Sequence, residues 1–87
     1  KWFKKVVDNH EFLLCIGYDE KGKIGIVRYD RKSENSFEVG INLNPKRRGE
    51  KIAPLLLTKS EIFFKVHIFR KNMLRRQDYF MKVSPNV

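Results

Sequence analysis

The sequence has few of the residues that would commit it to disulfide or metal chemistry. Cys15 is its only cysteine, so neither an internal disulfide nor a cysteine metal cluster can form. It stands between Leu14 and Ile16 in an apolar run, where a thiol is expected to be a buried structural group. No motif places His10 or His67 beside it, so we predict neither a cysteine nucleophile nor a metal site.

Long apolar runs and low-complexity linkers are also missing. No segment approaches the roughly 18 to 20 apolar residues needed to cross a bilayer, and the start KWFKKVVDNH lacks the apolar middle of a signal peptide. A length of 87 residues is too short for two independent cores. We therefore expect one cytoplasmic domain, or part of one, with no membrane partner.

Acidic residues are scarce in the second half of the chain. Residues 1–44 hold eight Lys and Arg against seven Asp and Glu, whereas residues 45–87 hold eleven against three, and the whole chain carries a net charge of +9. A surface of this kind attracts nucleic acids, phosphorylated small molecules or acidic membranes. Hydrophobic residues make up 41% of the chain, a fraction typical of a folded domain rather than a disordered one.

Hydrophobic spacing predicts an α+β fold, with an open, mostly antiparallel sheet and helices packed on it. Strands are expected at residues 12–18, 23–30 and 36–43, then a loop at 45–51, a helix at 52–64, a strand at 66–69 and a helix at 71–83. In residues 1–10 the apolar side chains of Trp2, Phe3, Val6 and Val7 fall on one side of a helical turn, which predicts the tail of a helix.

The loop after the third predicted strand carries the most distinctive chemistry. Lys46, Arg47, Arg48 and Lys51 lie within six positions, and Gly49 removes a side chain that would keep a phosphate from the backbone. The following helix start adds unpaired amides and a partial positive charge. This pattern predicts a diphosphate site, and the alternative is a solvated basic loop. A purely structural loop would more often show Asp, Ser or Asn at the helix cap.

The stretch VGINLNPKRRGEKIAPLLL resembles the acetyl-coenzyme-A-binding motif of the GNAT N-acetyltransferase superfamily. That motif is an apolar strand, then x-Pro-x-x-Arg-Gly-x-Gly-x-Gly/Ala, then a leucine-rich helix. The matching positions hold Pro45, Arg48, Gly49, Ile52, Ala53 and the leucines Leu55 to Leu57, and Lys51 stands where the motif has its second glycine. The resemblance covers roughly residues 10 to 83, and it implies a GNAT-like core with the acyl-CoA N-acyltransferase fold, without the flanks of full members.

The resemblance also implies which groups would hold the coenzyme. Backbone amides from Arg48 to Ala53 would wrap the pyrophosphate, and Ile41 to Leu43 would pair with the pantetheine arm as an extra strand does. Asn72 is implied as a further contact. The predicted coenzyme-binding residues are Ile41, Leu43, Arg47, Arg48, Gly49, Glu50, Lys51, Ile52, Ala53 and Asn72.

Two residues are the predicted catalytic groups. The resemblance implies that Tyr79 is the general acid for the departing thiolate, a role that a phenol with an ordinary pKa near 10 can fill. The alternative is a helix residue with its hydroxyl in water, and a second register aligns YFMKVSP with the family's ending, where Ser84-Pro85 replaces Gly-Phe. Glu38 is the nearest candidate base, and its alternative role is a charge pair across the sheet.

The predicted function is an N-acetyltransferase core that transfers an acetyl group from acetyl-CoA to a primary amine, on a small molecule or on a protein N-terminus or lysine. One alternative is a coenzyme-A-binding or assembly domain without turnover. Another is a small basic nucleic-acid-binding module, which would use Arg47, Arg48, Arg75 and Arg76 with exposed aromatic rings at Tyr29, Phe64 and Tyr79. We do not expect nucleic acid, because the arginines fall in two short groups. An unpaired sheet edge could support a homodimer.

Overall fold

The computed structural model describes residues 3–71 and 80–83, which form a five-stranded sheet and one long helix. The strands are β1 (Phe3–Asp8), β2 (Phe12–Asp19), β3 (Gly22–Ser33), β4 (Ser36–Leu43) and β5 (Phe80–Val83), and the helix α1 spans Ala53–Arg70. The strands lie in the order β1-β2-β3-β4-β5; the first four form an antiparallel meander, and β5 runs parallel to β4. The predicted α+β class and mostly antiparallel open sheet are confirmed.

Alternating apolar side chains explain the three central strands, which contain the three predicted ones. Along β2, Leu13 and Cys15 are buried while Leu14 and Ile16 are only partly covered, because successive side chains point to opposite faces. The same alternation buries Phe37 and Val39 of β4. One face of the sheet therefore packs against α1, and the other has no helix on it among residues 3–71 and 80–83.

The core is built around Phe64 in the middle of α1. Its ring stacks on Tyr29 at a centroid distance of 4.5 Å and meets Phe37 edge-on at 4.9 Å. The Tyr29 hydroxyl lies 2.6 Å from Oγ of Ser60, which donates its own hydrogen bond to the Leu57 carbonyl at 2.8 Å. Aromatic packing and a satisfied buried hydroxyl pair thus fix α1 to the sheet.

Cys15 is fully buried, as predicted. Burial raises the pKa of its thiol to about 12. Because the thiolate rather than the thiol is the nucleophile, Cys15 is a structural group.

The predicted helix tail in residues 1–10 is wrong, because Phe3–Asp8 is the strand β1. A β-bulge explains the misleading pattern. Phe3 pairs with Gly17 and Val6 pairs with Cys15, with an irregularity between Phe3 and Lys5. The extra residue places side chains three positions apart on one face of the strand, a spacing that otherwise indicates a helix.

The predicted strand at 66–69 is also wrong, because α1 continues without a break to Arg70. No glycine or proline interrupts residues 55–70, and the buried positions Ser60, Phe64, His67 and Ile68 keep helical spacing. A short apolar run cannot distinguish a strand from a helix, and here the packing of α1 on the sheet decides. Among the described residues, no helix is long and apolar enough to span a membrane.

The helix predicted at 71–83 is wrong over residues 80–83, which form β5, and residues 72–79 lie outside the described part of the chain. β5 pairs with the first half of β4, from Ser36 to Val39, and the Phe80 amide donates to the Asn35 carbonyl at 2.8 Å. The edge of β4 offers unpaired backbone groups, and pairing with them outweighs the local helical spacing.

Candidate anion-binding site

The chain leaves β4 through a short 3-10 turn, Pro45–Arg47, that Asn44 holds in place. Oδ1 of Asn44 accepts a hydrogen bond from the Lys46 amide at 3.1 Å, and its Nδ2 donates to the Lys23 carbonyl at 3.0 Å. The Asn44 amide donates to the Ile24 carbonyl at 2.8 Å. These bonds fix the point at which the basic loop, residues 46–52, leaves the sheet.

Two residues of the basic loop have a left-handed backbone. Gly49 has φ 88°, and Lys51 has φ 56°. Residues other than glycine seldom adopt a positive φ. Ile52 then returns to the right-handed region, with φ −96° and ψ −13°. A left-handed residue followed by a right-handed one turns consecutive amides toward one side, and such a concave arrangement binds anions.

None of the five consecutive amides from Gly49 to Ala53 donates a well-formed hydrogen bond within the described part of the chain. Ile52 precedes α1 without supplying a side-chain cap, and the first turn contains no acidic residue. Helix starts are usually capped by Ser, Thr, Asp or Asn. This helix start therefore has unsatisfied donors and the positive end of the helix dipole, the combination that holds a phosphate.

The cations of the basic loop divide into two groups. Lys46, Arg48 and Lys51 are exposed, and within residues 3–71 and 80–83 no carboxylate lies within ion-pairing distance of them. Arg47 is buried and held by two carboxylates. The exposed cations can contact an anion from solvent, whereas Arg47 is bonded to carboxylates of the protein.

Arg47 is 6% exposed. Its Nη1 donates to Oδ1 of Asp19 at 2.9 Å, Nη2 donates to Oδ2 of the same carboxylate, and Nε donates to the carboxylate of Glu50 at 3.1 and 3.2 Å. The hydrogen bond with Arg47 lowers the pKa of Asp19, and the reverse interaction raises the pKa of Arg47. Arg47 and Glu50, both predicted coenzyme contacts, are bonded to each other, and their contact with a ligand stays a prediction.

The second half of β4 borders the loop with an open edge. β5 pairs only with Ser36 to Val39, so Gly40 to Leu43 have no strand partner on that side among the described residues. Ile41 and Leu43, both predicted contacts, are partly buried against the core. An open edge of this kind offers backbone donors and acceptors to any extended chain that carries amides.

Two adjoining hollows lie beside this part of β4. One, of about 280 Å³, is lined by Lys23, Ile26, Asn42, Leu43, Asn44 and Pro45. The other, of about 250 Å³, is lined by Leu14, Ile26, Arg28, Gly40, Ile41 and Asn42. They share Ile26 and Asn42, so together they form a shallow groove along β3 and β4 that reaches the start of the basic loop.

Glu38, the predicted base, lies on the sheet face that α1 does not cover. It shares this face of β4 with Gly40 and Asn42, so its Cα lies about 7 Å from that of Gly40, on the same side as the groove. Its Oε1 lies 3.5 Å from Nζ of Lys32, within ion-pairing distance. The charge pair that the sequence offered as the alternative role is therefore present, and the carboxylate still faces the open side.

Some predicted site residues lie outside the described part of the chain, namely Asn72 and Tyr79, together with Arg75 and Arg76. The prediction that Tyr29 and Phe64 are exposed is wrong, because both are 1% exposed in the core. Neither can stack on a nucleic acid base. The basic nucleic-acid alternative therefore loses the described aromatic rings on which it depended.

Asp19 and Asn44 were missed as residues of the site. Asn44 had a sequence signal, since an Asn directly before Pro45 is typical of the residue that caps a helical turn. Asp19 had none, because it lies 28 residues from Arg47, and the pairing of β3 with β4, in which Gly25 lies opposite Leu43, brings the loop to its turn.

A second pair with one buried member, His67, lies at the far end of α1. Nδ1 of His67 donates to Oδ1 of Asp8 at 2.7 Å, and Nζ of Lys71 lies 3.7 Å from the same oxygen. Within the described residues, no group of His, Cys, Asp and Glu is arranged to hold a metal ion. This pair ties β1 to α1.

Comparison of the chain with protein-family models, with curated proteins and with solved structures finds no match.

Proposed function

We propose that this chain is the coenzyme-binding core of a GNAT-type N-acetyltransferase, which takes acetyl-CoA and transfers its acetyl group to a primary amine. The observation that carries the proposal is the conformation of Lys51. The motif has a glycine at this position, and Lys51 has the left-handed φ of 56° that glycine adopts without steric cost. The substitution thus keeps the backbone shape that exposes the amides from Gly49 to Ala53 to a pyrophosphate.

The open edge of β4 supports the same proposal. A pantetheine arm contains two amides. The half of β4 that has no strand partner on this side among the described residues, Gly40 to Leu43, follows the pairs with β5 and ends at the basic loop. A ligand whose phosphates lie on the loop amides would therefore extend its arm along this edge. The exposed cations Lys46, Arg48 and Lys51 would neutralise its phosphates.

The transfer chemistry needs few protein groups. The amine nitrogen attacks the thioester carbon, a C–N bond forms as the C–S bond breaks, the nitrogen loses a proton and the thiolate gains one. Glu38 lies on the same face of the sheet as the groove and is the proposed acceptor of the amine proton, directly or through water. Tyr79 is the proposed donor to the thiolate, and holding both reactants in the groove supplies much of the acceleration.

Calorimetry with coenzyme A tests the binding step. We expect a dissociation constant in the micromolar range, and Arg48→Ala should weaken it about tenfold because a charge-assisted contact is removed. Release of free thiol from acetyl-CoA across a panel of amines tests turnover, which Glu38→Gln and Tyr79→Phe should lower without weakening coenzyme binding. A folded protein that does not bind coenzyme A at micromolar concentrations would refute the proposal.

Binding without thiol release for any amine would assign the chain to the alternative of a coenzyme-binding domain. A gel shift with RNA provides the third outcome. RNA binding that persists at about 200 mM salt would favour the nucleic-acid alternative, since purely electrostatic binding weakens steeply as salt rises.

A further inference from the structure

We propose that Arg47 and Asp19 form an ionic clamp that positions the basic loop, and that Arg47 acts on an anion only through the backbone amides beside it. The ligand named in this inference rests on the proposed function. The clamp itself rests on contacts within the chain, and it makes Asp19, in a turn distant in sequence, a positioning residue for the anion site.

Each nitrogen of the Arg47 guanidinium already donates to a carboxylate. Nη1 and Nη2 form a bidentate pair with Asp19, and Nε is bonded to Glu50. The Arg47 side chain is 7% exposed, against 31% for Asp19 and 35% for Glu50. A buried guanidinium held on both sides by carboxylates is neutralised before an anion arrives, so it adds little attraction of its own.

The two carboxylates bonded to Arg47 lie in different parts of the fold. Asp19 ends β2 and also accepts a hydrogen bond from the Lys21 amide at 2.8 Å, so the β2–β3 turn holds it in place. Glu50 lies in the loop itself, between Gly49 and Lys51, the two loop residues with positive φ. Arg47 therefore links a fixed point on the sheet to a segment in which a lysine adopts a left-handed φ.

The basic loop has few other hydrogen bonds that restrain its conformation. The Arg48 amide donates to the Pro45 carbonyl at 3.4 Å, and the Ile52 carbonyl accepts from the Leu56 amide at 2.9 Å. Within the described chain, no amide of residues 49–53 donates a well-formed backbone hydrogen bond. Without the bond from Arg47 to Glu50, Lys51 would have little reason to keep a left-handed φ. The clamp thus supplies the order that the free amides need in order to converge on one anion.

The clamp makes a prediction of opposite sign from that of a direct ligand role. If Arg47 contacted phosphate directly, Asp19→Asn would free the guanidinium for the ligand and remove one negative charge. Both effects would strengthen phosphate binding. If Arg47 positions the loop, the same change loosens the loop and weakens binding. Arg47→Lys separates the two again, because it keeps the charge but cannot make the planar two-sided fork.

The experiment is a titration of the isotope-labelled protein with inorganic pyrophosphate and with coenzyme A, followed by amide NMR. We expect Asp19→Asn and Arg47→Lys each to weaken pyrophosphate binding about tenfold and to shift the free-state amide signals of residues 49–53. Glu20→Gln is the matched control, since Glu20 is an exposed acid in the same turn and its loss changes the net charge equally. It should leave both readouts unchanged.

Asp19→Glu keeps a carboxylate and should retain most of the affinity, which guards against misreading a variant that fails to fold. Equal or tighter pyrophosphate binding by Asp19→Asn would overturn the clamp. Pyrophosphate binding without coenzyme A binding would refute the proposed function and leave the clamp standing. If the parent protein binds neither ligand, the free-state amides decide, and unchanged signals from residues 49–53 in folded Asp19→Asn would overturn the clamp.

Discussion

At both ends of α1 a carboxylate from the sheet ties the helix or its preceding loop in place. At the C-terminal end, Asp8 accepts from His67 and lies near Lys71, and the Lys71 amide closes the last turn on the His67 carbonyl at 3.0 Å. At the N-terminal end, Asp19 and Glu50 hold Arg47. The two ties are chemically similar, but only the N-terminal one leaves a run of amides unpaired. An ion pair beside a helix end therefore does not define a site; unsatisfied donors next to it do.

Removing the core that both ends share should have the largest effect. Phe64→Ala deletes the ring between Tyr29 and Phe37, and we expect it to lower the free energy of unfolding by about 3 to 5 kcal/mol. Phe69→Ala is the control, because Phe69 is 80% exposed and should change stability by less than about 0.5 kcal/mol. Urea unfolding measures both, and similar costs for the two variants would contradict the packing of α1.

The N-terminal end can be tested through Lys51. Alanine and glycine both remove its charge, but only glycine adopts a φ near 56° without steric cost. We therefore expect Lys51→Gly to be more stable than Lys51→Ala by about 1 kcal/mol. Thermal unfolding of the pair checks this, and an alanine variant at least as stable as the glycine variant would mean that the loop lacks the left-handed residue.

The C-terminal end should matter for stability alone. Asp8→Asn weakens the hydrogen bond to the buried His67, and we expect a loss of about 1 kcal/mol in the free energy of unfolding. Coenzyme A affinity, measured by calorimetry, should not change. A variant that unfolds more easily and also binds coenzyme A more weakly would show that the two ends are coupled.

The smallest expected effect is a pH dependence at the N-terminal end. The hydrogen bond with Arg47 lowers the pKa of Asp19 in the folded protein below its ordinary value near 3.9. Because the unfolded chain binds this proton first, the stabilisation is present above that ordinary value and is lost as the pH falls through the lowered folded pKa. The melting temperatures of the parent protein and Asp19→Asn should therefore differ at neutral pH and converge in strong acid. A difference that does not vary with pH would contradict the assignment.

The sequence predicted the parts of the fold whose signals are local. The alternation of Phe37, Val39, Ile41 and Leu43 located β4, and the change to KRRGEK located the loop. Local signals failed where a neighbouring strand decided the outcome. In β1, a bulge opposite β2 produces apolar spacing like that of a helix. Residues Phe80–Val83 pair with the edge of β4 and form a fifth strand.

The candidate site divides in the same way. The glycine, the exposed cations and the missing cap can be seen in the order of residues from Pro45 to Pro54. The left-handed conformation of Lys51 and the pairing of Arg47 with Asp19 cannot, because they depend on strand pairing that brings together residues 28 apart. Sequence reasoning therefore grouped Arg47 with the exposed cations, whereas burial separates it from them.

The most direct measurement is amide NMR of the protein during titration with coenzyme A. We expect the largest changes in amide chemical shift at residues 49–53, with a second set at residues 40–43 along the open edge of β4. Residues 67–71, at the other end of α1, should not shift. Shifts spread over the basic surface, or concentrated at the Asp8 and His67 end, would contradict the assignment of an anion site to the start of the helix.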